Sequence, residues 1–164
     1  HGTGGAGGNG YPNLNDDDWL WGGSVDQIYE TVKYGIRSDH DDTRVGEMPA
    51  FLTNEMLDRS QINDVTEYVL SLSDTREDSE AVARGEVVFQ ENCASCHGEN
   101  AKGNREFGAP NLTDAIWFYG KDKDTILRTI SRGRNNVMPA WVDRLDDATI
   151  RQLALYVHSL GGGE

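Results

Sequence analysis

This sequence of 164 residues is short of basic residues, of cysteines and of long apolar runs. Its 15 Lys and Arg stand against 28 Asp and Glu, and the net charge of −13 speaks against a nucleic-acid binder because phosphates repel an acidic surface. No stretch approaches the ~18–20 consecutive apolar residues that span a bilayer. The first residues lack the basic stub and apolar run of a signal peptide, so we expect the chain as given to be soluble. Disorder is not expected, because 37% of the residues are hydrophobic and many are aromatic.

The negative charge is concentrated in the first half of the chain. Residues 1–75 contain 14 acids and 4 bases, a net charge of −10, whereas residues 76–164 contain 14 acids and 11 bases, a net charge of −3. This asymmetry predicts two units with different surfaces. The acidic surface either keeps the protein soluble or docks a basic partner, and the sequence leaves both interpretations open.

The chain contains an internal duplication. The segments Gly10–Gly22 and Gly108–Gly120 share the pattern Gly-x-Pro-Asn-Leu-x-Asp-x-x-Trp-x-x-Gly, and further on Met48-Pro-Ala matches Met138-Pro-Ala. Each copy ends with apolar residues in the same register: Ile62, Val65, Tyr68, Val69 and Leu72 in the first copy, and Ile150, Leu153, Tyr156, Val157 and Leu160 in the second. The largest difference between the copies is an acidic insertion around residues 38–45 of the first. Matched blocks in the same order indicate a tandem repeat.

Helical periodicity predominates and strand alternation is absent, so we predict an all-α fold. The last segment of each copy has one apolar face, with Ser60 and either Asp146 or Asp147 as the candidate N-caps. Further helices are predicted over residues 24–33, 81–91 and 122–131. We therefore predict a first domain over residues 1–73, a polar linker over 74–79 and a second domain over 80–164. Domains of this size have marginal cores, so something else should help to fill their centres.

The two cysteines identify the cofactor. Cys93 and Cys96 are followed at once by His97, and Cys-x-x-Cys-His is the attachment sequence of c-type haem, in which two thiols bond to the vinyl groups and the imidazole binds the iron. A structural zinc site would need a second pair of ligands, and a thioredoxin-type redox pair would need a βαβ context. A disulfide between the two cysteines is possible, but across a gap of two residues on a helix it would stabilise the fold little.

A haem iron in an electron carrier needs a sixth ligand, and Met138 is the candidate. A lone methionine is usually core filler, but Met138 precedes a proline in a loop, and Met48 occupies the same setting. Pro110 is expected to orient the His97 ring through its carbonyl oxygen, with an ordinary turn proline as the alternative interpretation.

With these motifs the whole chain resembles a tandem of class I cytochrome c domains. In that family a glycine and an aromatic residue of the first helix pack against a leucine and an aromatic residue of the last. The matching positions are Gly85 and Phe89 on one helix, and Leu153 and Tyr156 on the other. The resemblance therefore implies that these two helices cross within the second domain.

More narrowly, the repeated Gly-x-Pro-Asn-Leu pattern is similar to that of the dihaem subunit of cbb3-type cytochrome c oxidases. In full length that subunit has a membrane anchor before two periplasmic haem domains. The resemblance implies that the chain takes electrons from a soluble cytochrome c and passes them between its haems to the oxidase, whose catalytic and monohaem subunits are its partners. It also implies a place on the periplasmic side of a bacterial inner membrane, with membrane contact only through an anchor, and no catalysis by the chain itself.

The first copy begins at its own candidate haem ligand. Aligning Pro12 with Pro110 places His1 opposite His97, so the cysteines and first helix of this copy would precede the sequence. A copy that lost its haem is the alternative, but the retained Met48-Pro-Ala loop argues against it. We therefore predict a second haem c with His1 and Met48 as axial ligands. His40, in the acidic insertion, is an alternative to Met48, although a solvated loop residue is the simpler interpretation.

Two other functional classes remain from the sequence. A free soluble periplasmic dihaem carrier has the same motifs, and an anchor sequence before His1 would distinguish the two. A dihaem peroxidase would need an open or switchable sixth ligand, and the two Met-Pro-Ala loops speak against it.

Overall fold

In a computed structural model of the protein, residues 1–73 and 79–164 are described, and they form helices joined by long irregular loops. A short 3₁₀ turn covers Thr3–Gly5. The α-helices are α1 Val25–Tyr34, α2 Arg59–Ser73, α3 Glu80–Asn92, α4 Ala94–His97, α5 Lys123–Arg132 and α6 Asp147–His158. The described residues contain isolated β-bridges but no strand, so the expected all-α class is confirmed.

Short polar side chains cap the helices, and of the predicted caps Asp146 is observed whereas Ser60 is not. Ser24 caps α1 in a capping box with Gln27, and Asp146 caps α6 by accepting a hydrogen bond from Thr149 N. Ser60, however, is not the cap of α2. Asp58 accepts hydrogen bonds from the backbone N–H groups of Ser60 (2.8 Å) and Gln61 (2.9 Å), so the helix begins earlier than predicted.

The chain folds into two compact units, and neither is continuous in sequence. Unit 1 comprises His1–Gly46, Arg105–Gly108 and Asn135–Glu164, and unit 2 comprises Glu47–Asn104 and Ala109–Arg134. Each unit therefore combines the first part of one copy with the last part of the other. The domains predicted over 1–73 and 80–164 are the repeats of the sequence, whereas the units divide each repeat near its methionine. Of the linker predicted over 74–79, residues 74–78 lie outside the described residues.

Unit 2 is built around the crossing of α2 and α3. Gly85 lies so close to α2 that an added Cβ would come within 2.1 Å of the Asp64 carbonyl oxygen, and this close approach explains a glycine inside a helix. The rings of Tyr68 and Phe89 lie 5.2 Å apart, with Phe89 fully buried. Arg84 on α3 donates two hydrogen bonds to the Asp64 carboxylate (2.7 and 3.1 Å), which ties the two helices together at their polar edge.

This crossing corrects the expected one. Gly85 and Phe89 pack against α2 and not against Leu153 and Tyr156 of α6, which are 36% and 59% exposed. The physical reason is that α2 and α6 carry the same apolar pattern, and the connection from α2 to α3 is short. Closing a short loop loses less entropy than closing a long one, so the neighbouring helix is favoured.

Unit 1 is built around α1 and α6 and has a smaller buried cluster. The Tyr29 hydroxyl donates a hydrogen bond to the Asp147 carboxylate, and the Arg151 guanidinium lies 4.7 Å from the centre of the Tyr29 ring. The cluster of buried side chains consists of Ile28, Tyr29, Ile150 and Ala154.

Candidate haem-binding sites

The attachment sequence forms the joint between α3 and α4. Cys93 ends α3 and precedes α4, and its carbonyl oxygen accepts hydrogen bonds from Cys96 N (3.1 Å) and His97 N (2.9 Å). This single turn brings both thiols and the imidazole to one short stretch of backbone. Both cysteines are free and half-buried, and burial raises the pKa of the Cys93 thiol to about 11. The two sulfurs are thus available for thioether bonds.

The His97 ring is held by the carbonyl that the sequence singled out. Its Nδ1 lies 3.1 Å from the Pro110 oxygen, which leaves Nε2 as the nitrogen that can bind a metal. Burial lowers the pKa of His97, against a smaller opposing effect of the Pro110 hydrogen bond. A lowered pKa keeps the ring neutral, which is the form that binds iron.

His1 makes the corresponding hydrogen bonds in unit 1, although it is more exposed than His97. Its Nδ1 lies 3.1 Å from the Pro12 oxygen, and its carbonyl accepts a hydrogen bond from Gly7 N at 2.7 Å. In unit 2 the His97 carbonyl accepts the matching bond from Gly103 N, also at 2.7 Å. The two histidines are therefore oriented in the same way, as the alignment of the copies predicts.

The two methionine loops are each held by a pair of backbone hydrogen bonds. Met48 N donates to Arg134 O and Arg134 N donates to Met48 O, both at 3.0 Å. Likewise Ile36 N donates to Met138 O and Met138 N donates to Ile36 O, both at 2.9 Å. Each methionine of one copy is therefore paired with the turn that follows α1 or α5 of the other copy.

The two units group these residues differently from the predicted ligand sets. Met48 lies in the same unit as Cys93, Cys96 and His97, whereas Met138 lies in the same unit as His1. The sequence placed Met138 with His97 and Met48 with His1. The extended segment around each methionine closely approaches a glycine of the other copy.

Gly133 and Gly35 make that close approach. An added Cβ on Gly133 would come within 2.3 Å of Met48 O, and one on Gly35 within 2.3 Å of Met138 O. Both glycines end a helix with positive φ, at 70° and 74°. The two copies align these glycines with each other, but nothing in the alignment shows that the segment around a methionine lies against each of them.

The remaining histidines make other contacts. His40 lies in unit 1, as His1 does, and there its ring packs 4.7 Å from that of Tyr34 and its Nδ1 accepts a hydrogen bond from Asp42 N. His158 Nε2 lies 3.0 Å from the Glu164 carbonyl oxygen. In the described part of the chain, no three His, Cys, Asp or Glu side chains are grouped to hold a metal ion unaided.

The donor set fits haem c. The free thiols of Cys93 and Cys96 precede His97, whose Nδ1 is already hydrogen-bonded. Met48, with its thioether sulfur, belongs to the same unit. Within residues 1–73 and 79–164, no helix has both the length and the apolar character needed to cross a membrane.

Comparison with known proteins agrees with this chemistry. The family model described as "Cytochrome c" matches residues 1–73, and the one described as "Cytochrome C oxidase, cbb3-type, subunit III" matches residues 80–157. Together the two matches cover both repeats of the sequence.

Several curated proteins are similar over the full length of this chain. A "Cbb3-type cytochrome c oxidase subunit FixP" of Bradyrhizobium sp. (strain ORS 278) is 58% identical over 166 residues, which cover 100% of this chain and 57% of the relative. A "Cbb3-type cytochrome c oxidase subunit CcoP" of Cereibacter sphaeroides is 53% identical over 165 residues, with the same coverage of each chain. A further CcoP, of Azospirillum brasilense, is 53% identical over 172 residues and is covered to 58%. The chain thus spans little more than half the length of these relatives.

Proposed function

Since the chain belongs to the cytochrome c family, with two domains of that family and two haem c groups, we propose that it relays electrons within a cbb3-type oxidase. The observation that carries this proposal is the Cys93–Cys96–His97 turn with the His97 ring already oriented by Pro110. Bound haem c supplies an iron that takes up and releases one electron at a time. The protein supplies the attachment, the axial ligands and the surroundings.

We assign the haem ligands by unit. In unit 2, His97 Nε2 and the Met48 sulfur would hold one iron, and Cys93 and Cys96 would attach its haem. In unit 1, His1 and Met138 would hold the other. Haems held in this way would supply electron transfer, and reduction of oxygen would belong to the oxidase. The relatives' names support an oxidase complex as the partner and give no support to a free carrier.

The finer partners follow from charge. Unit 1 contains two acidic clusters, Asp16–Asp18 and the residues 39–42, and its 13 acids and 6 bases give it a net charge of −7. A soluble cytochrome c with a basic face would be steered toward this surface. We place the donor site on unit 1 and the whole chain on the periplasmic side of the inner membrane, where haem c is attached.

The first test is the attachment itself. Mass spectrometry of the denatured full-length protein should show haem bound at Cys93 and Cys96, and the Cys93→Ala/Cys96→Ala variant should lose one haem. Stopped-flow mixing of the oxidised protein with a reduced soluble cytochrome c should then show electron uptake. A peptide with two bare cysteines would overturn the proposal.

The second test assigns the methionines. In the Cys93→Ala/Cys96→Ala background only the haem on His1 remains, and the long-wavelength absorption band of Met–Fe³⁺ coordination reports its sixth ligand. Met138→Ala should abolish that band and Met48→Ala should preserve it. Met56→Ala is the matched control, because Met56 is 51% exposed and lies outside the Met-Pro-Ala setting. The reverse result would restore the pairing predicted from the sequence order.

A further inference from the structure

An arginine in unit 2 is fixed at three points beside the Met48 strand. Its backbone exchanges the two hydrogen bonds with Met48, and its Nε and Nη2 donate to Thr129 Oγ1 at 3.1 and 2.6 Å. The guanidinium also stacks on Tyr119, 3.6 Å from the ring centre. Arg134 therefore connects helix α5, the Tyr119 loop and the Met48 strand through one side chain and one peptide unit.

Unit 1 contains the same arrangement around Arg44. Its Nε donates to Thr31 Oγ1 at 2.8 Å, its Nη2 donates to Gln27 O at 3.2 Å, and the guanidinium lies 5.4 Å from the centre of the Trp21 ring. Each unit thus has one arginine, one threonine on the preceding helix and one aromatic ring.

The two arginines reach this position from different places in the sequence. Thr31 aligns with Thr129 and Trp21 with Tyr119, but the residue that aligns with Arg134 is Ile36. Arg44 comes instead from the acidic insertion of the first copy. That insertion returns to the turn through a bridge between Ile36 and Arg44, with Arg44 N donating to Gly35 O at 3.3 Å. The two units therefore have a guanidinium at the same place in the structure, although the two arginines do not align in the repeat.

Neither guanidinium forms an ion pair with a carboxylate in the described part of the chain, although the protein has 28 Asp and Glu. Both side chains are half-buried, and burial lowers the pKa of Arg44, against a smaller opposing effect of the Glu30 charge. Hydrogen bonds and ring contacts, rather than a bonded carboxylate, hold each guanidinium in place.

We propose that Arg134 and Arg44 are positioning residues for the methionine ligands: each holds the turn against which the Met48 or Met138 strand lies, and so keeps the sulfur on the iron. The inference rests on the proposed ligand assignment. Arg134 acts directly through its backbone pair with Met48. Arg44 acts through the Ile36 strand, whose other edge pairs with Met138.

The experiment uses the full-length, haem-loaded protein and reads the Met–Fe³⁺ band and CO binding by the reduced form. Arg134→Gln should lose the Met48 share of the band and let that haem bind CO. Arg134→Lys retains the positive charge but not the planar guanidinium with its several N–H donors, so it should retain part of the band. Arg44→Gln should do the same to the Met138 share. Arg132→Gln is the matched control, because it removes an exposed charge at the end of α5, two residues before Arg134, and should leave the band unchanged.

A second variant tests the same contact in case Arg134→Gln fails to fold. Thr129→Val removes the acceptor and keeps the arginine, so it should weaken the band in the same direction as Arg134→Gln. Double variants test whether Arg134 acts through Met48. Arg134→Gln should leave the Met–Fe³⁺ band of a Met48→Ala protein unchanged and should weaken further the band of a Met138→Ala protein.

The outcomes are distinct. If Met48→Ala abolishes its share of the band but Arg134→Gln and Thr129→Val both retain it, the proposal is overturned and the ligand assignment survives. If Arg132→Gln loses as much of the band as Arg134→Gln, the effect is one of charge and the positioning role is wrong. A band that Met48→Ala leaves intact overturns the ligand assignment and this proposal with it.

Discussion

Gly133→Ala should damage the Met48 strand more than a conformational penalty alone explains. Gly133 has φ of 70° and ψ of 179°, a region that is essentially restricted to glycine, and placing another residue there costs roughly 1–3 kcal/mol of stability. The added Cβ would also come within 2.3 Å of Met48 O and 2.7 Å of the Pro49 carbonyl carbon, so the Met48 segment must move. Such overpacking typically destabilises by about 1–3 kcal/mol, which gives about 2–6 kcal/mol in total.

Gly4→Ala is the control for this experiment. Gly4 also has a positive φ, 66° with ψ of 15°, but no atom lies within 4 Å of the position of its Cβ. An L-residue in this left-handed helical region loses roughly 1–2 kcal/mol of stability, and the gain from restricting the unfolded chain is common to both variants. The difference between the two variants therefore combines the contact with the Met48 segment and the less favourable backbone region of Gly133, and the spectrum distinguishes these because only the contact displaces Met48.

The assay is urea unfolding of the haem-loaded protein, together with the Met–Fe³⁺ band. Gly133→Ala should unfold at lower urea than Gly4→Ala and should weaken the band, while Gly4→Ala should keep it. If the two variants have free energies of unfolding within about 0.5 kcal/mol of each other and identical spectra, the close approach of Gly133 to Met48 is wrong.

Three further results are expected. Phe89→Ala should destabilise unit 2 by about 3–5 kcal/mol in urea unfolding because Phe89 is fully buried, whereas Phe107→Ala, at a residue 45% exposed, should have a small effect. Hydrogen bonds from Thr125 and Thr149 lower the pKa values of the cap residues Asp122 and Asp146, so their stabilisation is present above the unfolded pKa of about 3.9 and is lost as pH falls through the lower folded values; Asp122→Asn/Asp146→Asn should flatten the stability profile measured in that acid range. The rate of electron uptake from a basic cytochrome c should fall as salt rises, because screening acts over about 10 Å at 0.1 M, and a rate that salt leaves unchanged would mean that the acidic surface only solubilises the protein.

Local chemistry could be predicted from this sequence. The Cys-x-x-Cys-His turn, the Pro110 carbonyl on His97 and the match of His1 to His97 each depend on residues close in sequence or on one alignment. The structure shows the same hydrogen bond at 3.1 Å in both copies. Helix positions follow from apolar periodicity and caps, but α2 begins earlier than predicted because Asp58 accepts the hydrogen bonds of Ser60 N and Gln61 N in its first turn.

The choice of partner could not be predicted, for a reason inherent in a duplication. Helices α2 and α6 carry the same apolar face, and the two Met-Pro-Ala strands meet the same kind of glycine turn. Periodicity shows which face of an element is buried but not which of two equal partners covers it. The short connection between α2 and α3 then favours their pairing. Which helices pair therefore depends on how the two copies are connected and not on the pattern within either copy.

The central claim is that each haem takes its histidine from one copy and its methionine from the other. An experimental structure of the full-length, haem-loaded protein tests it directly, because the haem bonded to Cys93 and Cys96 identifies the iron on His97. We predict that the Met48 sulfur lies at bonding distance from that iron and that Met138 lies on the iron of His1. Met138 on the iron of His97 would contradict the account.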